Sequence, residues 1–153
     1  MAKTSIRRFR DAVAARIVSE VADVNEAQVI VSRRGDLYAK IKNAVAQAAD
    51  GLAITVGPAS GTNTSDDNED LTFSVSYEIG LWFFPIYHPE KGDELELNEE
   101  EIRDDIIRAV AGEWDEGSAC YERVTVTGFR PGNDVEANVT TISIARHHNL
   151  EQV

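Results

Sequence analysis

Seven successive odd-numbered positions, Leu71, Phe73, Val75, Tyr77, Ile79, Leu81 and Phe83, are apolar, and Thr72, Ser74, Ser76 and Glu78 between them are polar. A period of two admits one local structure, a β-strand with one face on a core and the other in water. At Gly80 the alternation stops. Trp82 and Phe84 put aromatics on the formerly wet side, and Pro85 ends strand pairing. At ~3.3 Å per residue, the span from Leu71 to Phe84 would run ~46 Å, past the ~17–20 Å of a common strand. One end of this strand is expected to be covered on both faces. Five of the chain's eleven aromatics lie between Tyr77 and Tyr87, so what covers that end bears directly on function.

The remaining elements follow from the same kind of reading. Thr4 or Ser5 can cap a helix whose apolar positions Ile6, Phe9, Val13, Ile17 and Val21 recur at steps of three and four. "AQVIVS" is a short strand, and "GDLYAKIKNAVAQAADG" a helix with the stripe Leu37, Ile41, Ala44, Val45 and Ala48, closed by Gly51. "LAITV" is a strand, followed by an acidic loop over 58–70. In "LNEEEIRDDIIRAVAG", Asn98 is the expected N-cap, with Glu101 completing a capping box, Leu97 stapling to Ile102, and Gly112 at the stop. "YERVTVTGF" and "VEANVTTISIAR" are strands joined by the turn "RPGND", with a bulge or twist expected near Thr140. The spacing makes residues 52–84 and 121–146 two hairpins. The expected fold class is therefore α+β: an antiparallel sheet of about four to five strands with helices packed mainly on one face, in a single domain over residues 1–153.

Charge and composition narrow the function. The net charge is −12, and it is uneven: residues 1–50 hold nine basic against six acidic side chains, residues 51–153 six against twenty-one. Such a surface repels nucleic acid and anionic membrane at long range. No apolar run reaches the length of a membrane-spanning helix, and "MAKTSIRRFRDAVAAR" lacks the apolar core of a secretory signal. Cys120 is the single cysteine, so no intramolecular disulfide forms.

Catalytic signatures are sparse. "GPASGTN" lacks the Gly-Lys-Ser/Thr of a phosphate-cradling loop, and neither a Gly-x-Ser-x-Gly elbow nor a His-Glu-x-x-His pair occurs. Asp66, Asp67, Glu69 and Asp70 lack the ligand periodicity of a calcium loop and read as a solvated loop. His147 and His148 are adjacent, so on a strand they face apart, and a frayed terminus is the expectation. His88 has no Cys/His companion nearby. Glu99, Glu100, Asp104 and Asp105 fall on the outer face of their helix, where a catalytic pair would not be positioned. The aromatics are no nucleic-acid platform either, because Glu78, Glu90, Asp93, Glu94 and Glu96 flank them with Lys91 alone opposing. On this reading no cofactor or metal is expected. The aromatic end is core in part and otherwise an interface, with Trp82, Phe84 and Tyr87 the candidate contact residues.

The run of an N-terminal amphipathic helix, "LAITVGPASGTNTSDDNEDLTFSVSYEIGLWFFP", the acidic helix "EEEIRDDIIRAVAG", and the closing strands "RVTVTGF" and "VEANVTTISIAR" resembles the tail-terminator (tail-completion) proteins of long-tailed bacteriophages. The resemblance is one of element order and loop placement over roughly residues 52–146. It implies a structural, non-enzymatic virion protein, made in the host cytoplasm by a phage or prophage. A homo-hexameric ring would cap the tail tube, end its polymerisation and offer a docking face for the head. The partners implied are the tail-tube protein and the head-connector protein, with Asp66, Asp67, Glu69 and Asp70 on a tube- or lumen-facing loop. DNA would pass through unbound, which an acidic lumen favours. Two other classes compete: a small metal-dependent hydrolase using the acidic positions, and a monomeric adaptor or binding domain using the aromatic surface.

Overall fold

The computed structural model describes residues 5–22, 24–31, 37–47, 50–63, 72–88, 91–112, 123–134 and 136–149. In chain order these form α1 (Ser5–Glu20), a short 3-10 turn (Glu26–Gln28), β1 (Val29–Val31), α2 (Leu37–Gln47), β2 (Leu52–Asn63), β3 (Thr72–Phe83), α3 (Asp93–Val110), β4 (Thr125–Asn133) and β5 (Asn138–Asn149). The strands make one sheet in the order β1-β2-β3-β5-β4. All neighbours are antiparallel except β1 and β2, which run parallel with α2 as the crossover between them. The fold is α+β, as the spacing of the hairpins predicts; the parallel edge is the addition.

Alternation along β3 decides how the layers stack. Its odd positions point at α1 and α3, where Phe9, Val13 and Ile17 meet Ile54, Tyr77 and Ile79, and Ile106 and Val110 join from α3. Each such side chain contributes roughly 1.5–3 kcal/mol on leaving water. Arg16 on α1 ties the two helices together by donating from Nε to the Ala109 carbonyl, 3.0 Å away, which satisfies one of the carbonyls that the end of α3 leaves unpaired. The third helix lies on the opposite face. Ile41, Ala44 and Val45 of α2 pack with Ala53 and Phe84, and Trp82 and Val139 lie against them. Two helices, α1 and α3, cover one face, and α2 covers the other face at one end.

Several boundaries differ from those expected, each for a local reason. Residues 58–63, expected as loop, extend β2, with Ala59 to Asn63 opposite Tyr77 to Phe73. A register shift between Val56 and Ala59 accommodates Pro58, which has no N–H to give a ladder. Gly57 belongs there because a Cβ would lie 2.7 Å from the Glu78 carbonyl oxygen. Asp66, Asp67, Glu69 and Asp70 lie outside the described residues, as does Cys120.

Helix α3 starts at Asp93, with Gly92 as its N-cap at φ 62°, so the capping box expected at Asn98 does not form. Asp93, Glu94 and Glu96 already sit in the first turn, where the helix dipole favours them. Leu95, seven residues before Ile102, extends the apolar stripe backwards and is buried, while Leu97 is exposed and staples nothing. The stop is as expected: Gly112 follows at φ 87°.

The turn expected at "RPGND" lies further on. Arg130 to Asn133 pair with Thr141 to Asn138, and the chain reverses over Asp134–Ala137, where the Asp134 N–H reaches the Ala137 carbonyl at 2.8 Å. Pro131 is tolerated because β4 is an edge strand. The expected bulge near Thr140 is absent, since β5 pairs with β3 without a break from Asn138 to Asn149. Val139 faces α2 whereas Ile142 and Ile144 face α1 and α3. A strand covered on different faces at its two ends needs no bulge to switch. The irregularity falls on β4 instead, between Val126 and Gly128.

Candidate interaction surface

The aromatic end of β3 is built around Gly80. The Trp82 indole lies over it, and its Nε1 donates to Thr55 Oγ1 at 3.2 Å. A Cβ at position 80 would run into both partners and come within 2.7 Å of that indole nitrogen. The break in alternation at Gly80 therefore makes room for a side chain from two residues on. Beyond it the Phe84 N–H donates to the Gly51 carbonyl at 2.9 Å, and Gly51, at φ 67°, lets the backbones approach closely.

From Phe84 the chain turns sharply. The Tyr87 N–H bonds the Phe84 carbonyl at 3.0 Å, and the Lys91 ammonium donates to the Pro85 carbonyl. His88 closes the turn, buried with its ring 5.7 Å from that of Phe83. This geometry pushes Ile86 and Tyr87 outward, leaving them 78% and 57% exposed. Tyr38 on the first turn of α2, 42% exposed, belongs to the same surface. Lys42 links them. Its ammonium sits 5.3 Å from the Tyr38 ring centroid and 2.6 Å from Glu136 Oε2, and the Tyr87 phenol lies within electrostatic reach. Hydrogen bonding to Glu136 raises the Lys42 pKa above its ordinary value, so this cation stays charged.

The three expected contact residues thus part company. Phe84 is 1% exposed, buried under α2 of its own chain. That corrects its expected role at a subunit interface, because a helix absent from the period-two reading supplies the cover. Trp82 is half-buried by the same helix and hydrogen-bonded to Thr55. Tyr87 alone faces outward, joined by Ile86 and Tyr38, which the pattern reading missed. The signal for Ile86 was present: an apolar residue immediately after a strand-ending proline, past the end of the strand pattern that would bury it.

Other candidate positions are dispersed. Glu99 accepts a hydrogen bond from Asn138 Nδ2 at 3.0 Å, while Asp104 and Asp105 pair with Arg103 and Arg108 at 2.9 and 2.6 Å. Arg103 also stacks on Phe129 of β4, 4.3 Å from its centroid, beside a groove of about 210 Å³ lined by Glu96, Glu99 and Glu100. A larger groove of about 430 Å³ runs between α1 and the edge strand β1, along Ala14, Val18, Val29 and Val31. Among the described residues no three His, Cys, Asp or Glu side chains converge as metal ligands, and no helix is long and apolar enough to cross a membrane. His147 and His148 are strand residues of β5, not a frayed end, and His148 is buried.

No protein-family model and no curated protein matches the sequence. Among solved structures the chain is similar to a crystal structure from Akkermansia muciniphila, at 12% identity and a TM-score of 0.37, over 97% of this chain and 80% of that one.

Proposed function

We propose that this chain is a structural subunit that assembles with copies of itself, and that the ring it builds is of the phage tail-terminator kind. The observation that carries the assembly reading is the surface formed by Tyr38, Ile86 and Tyr87. It exposes large apolar side chains on an otherwise strongly charged molecule, where an isolated soluble monomer usually avoids such a patch. Aromatic residues around a single satisfied ion pair, Lys42–Glu136, match the make-up of an interface centre with a polar element fixing register. The edge strands β1 and β4 add backbone groups that a neighbouring copy can pair with.

The tail-terminator part rests on the likeness of element order described above and on the acidic balance of residues 51–153. Under this reading the ring ends polymerisation of the tail-tube protein, presents a surface to the head connector, and lets DNA slide through without holding it. A monomeric adaptor using the same patch is the alternative that the exposed aromatics also suit.

Light scattering of the full chain against protein concentration and salt separates the two. Wild type is expected to give a closed oligomer, favoured by salt because screening weakens repulsion between like-charged subunits. Ile86→Ser combined with Tyr87→Ser should leave a folded monomer. A wild type that stays monomeric at every concentration and salt, and that leaves tail-tube polymerisation unaffected when added to tube protein, overturns the proposal.

A further inference from the structure

Midway along β3, away from the aromatic turn, Tyr77 and His148 of β5 meet inside the core, the phenol oxygen 2.7 Å from imidazole Nε2. The phenol ring is fully enclosed and the imidazole 3% exposed. Phe9 of α1 lies against both, its ring centroid 5.0 Å from that of Tyr77 and 5.4 Å from that of His148. The charged groups that face the pair are Arg10 from α1 and Arg146 from β5, with His147 next to Arg146; the Arg146 guanidinium lies 5.0 Å from the Phe9 ring centroid. Burial raises the Tyr77 phenol far above its ordinary range, so it keeps its proton. Burial first, and then the neighbouring Arg146 and His147, push His148 down to about 4. The phenol therefore donates and the neutral imidazole accepts at Nε2, which leaves the ring proton on Nδ1.

We propose that the Tyr77–His148 pair is an acid-sensitive latch that holds the N-terminal half of α1 on the sheet. Protonating Nε2 turns an acceptor into a donor, so the phenol must rotate its own hydrogen away into a site where apolar side chains surround it. It also places a third cation beside Arg10 and Arg146 in a buried setting, where charge is costly. Lifting Phe9 and the first turns of α1 lets water reach all three groups. The C-terminal half of the helix has separate anchors, Val13 and Ile17 in the core and Arg16 on the Ala109 carbonyl, so opening begins at one end.

Because the folded-state value lies below the ordinary 6.5, the closed form has its full stability above pH 6.5 and loses it as pH falls to about 4. The closing equilibrium should drop on the order of 300-fold across that window, the equivalent of about 2.5 pH units.

Native-state hydrogen exchange of the full chain between pH 7 and 4, corrected for intrinsic rates, tests the latch. Amides from Arg10 to Val13 in α1 should lose protection by about that factor while β3 and β5 stay protected. His148→Gln, which keeps an acceptor but cannot titrate, should remove the acid loss. If that variant fails to fold, Arg146→Gln should shrink the loss, since it removes a positive charge that helps hold His148 neutral. Protection lost in parallel by α1 and the strands overturns the proposal. So does an acid loss unchanged in His148→Gln or Arg146→Gln, or a ring titration of wild-type His148 by NMR near the ordinary value.

Discussion

The two halves of β3 share one buried face and differ in the other. From Phe73 to Ile79 the odd side chains go into the core, while Ser76 and Glu78 look into solvent opposite Ala145 and Ser143. From Gly80 to Phe84 the second face is covered as well, by α2. The contrast shows that aromatics on both sides of a strand do not by themselves signal a partner. They signal a cover, and here the chain brings its own helix to supply it. The turn after the strand differs, because among the described residues no element covers Ile86 and Tyr87, which stay exposed. Burial belongs to the strand and exposure to the turn, and the dividing line runs between Phe84 and Tyr87, whose rings are only 6.5 Å apart.

The largest effect that tests this division is at Phe84. Truncation to alanine should cost about 3–5 kcal/mol in urea unfolding, as for other buried aromatics. Tyr87→Ala should move subunit stability by no more than about 0.5 kcal/mol. Equal losses at the two positions would mean that the cover supplied by α2 is incomplete and that the two rings belong to one surface.

How much of this was legible in the sequence depends on whether the signal was periodic or positional. The core face of β3 and the stripe of α1 could be read directly, because Leu81, Ile79 and Tyr77, or Phe9, Val13 and Ile17, repeat at the spacing of their element. The side of the sheet that α2 would take could not be read. The stripe Ile41, Ala44 and Val45 says that a helix is amphipathic, not which face of a sheet it meets; the parallel pairing of β1 with β2 settles that. The start of α3 was misplaced because Asn98 followed by Glu101 is a strong local cap signal, which the buried Leu95 and three earlier acidic residues outweigh. The Tyr77–His148 contact brings together residues seventy-one positions apart, and no local pattern encodes a pairing at that distance.

A middle-sized effect sharpens the comparison at the point where the two halves join. Gly80→Ala puts a methyl group into the path of the Trp82–Thr55 hydrogen bond and should destabilise by about 1–3 kcal/mol as an overpacked site. Adding Thr55→Ala removes the nearest obstacle, so the double variant should be less destabilised than the sum of the singles. Strict additivity in the four-variant cycle would show that the indole shifts freely and that Gly80 serves no packing purpose.

The smallest effect concerns the open half, where Glu78 reaches Arg130 of β4 at 3.5 Å with both side chains more than half exposed. An ion pair in this setting contributes about 0–1 kcal/mol, because water solvates both charges and holding two long side chains in register costs entropy. Glu78→Gln should therefore destabilise by at most ~0.5 kcal/mol at low salt, and by nothing measurable at 1 M salt, where the screening length shrinks to ~3 Å. This near-null result has content, because the covered half predicts the opposite behaviour. There, removing a single polar contact between Trp82 and Thr55 leaves a half-buried donor without its acceptor, and no amount of salt restores it. A loss at Glu78 well above 1 kcal/mol that persists at high salt would show that the second face of β3 is covered along its whole length, and the division at Gly80 would then fail.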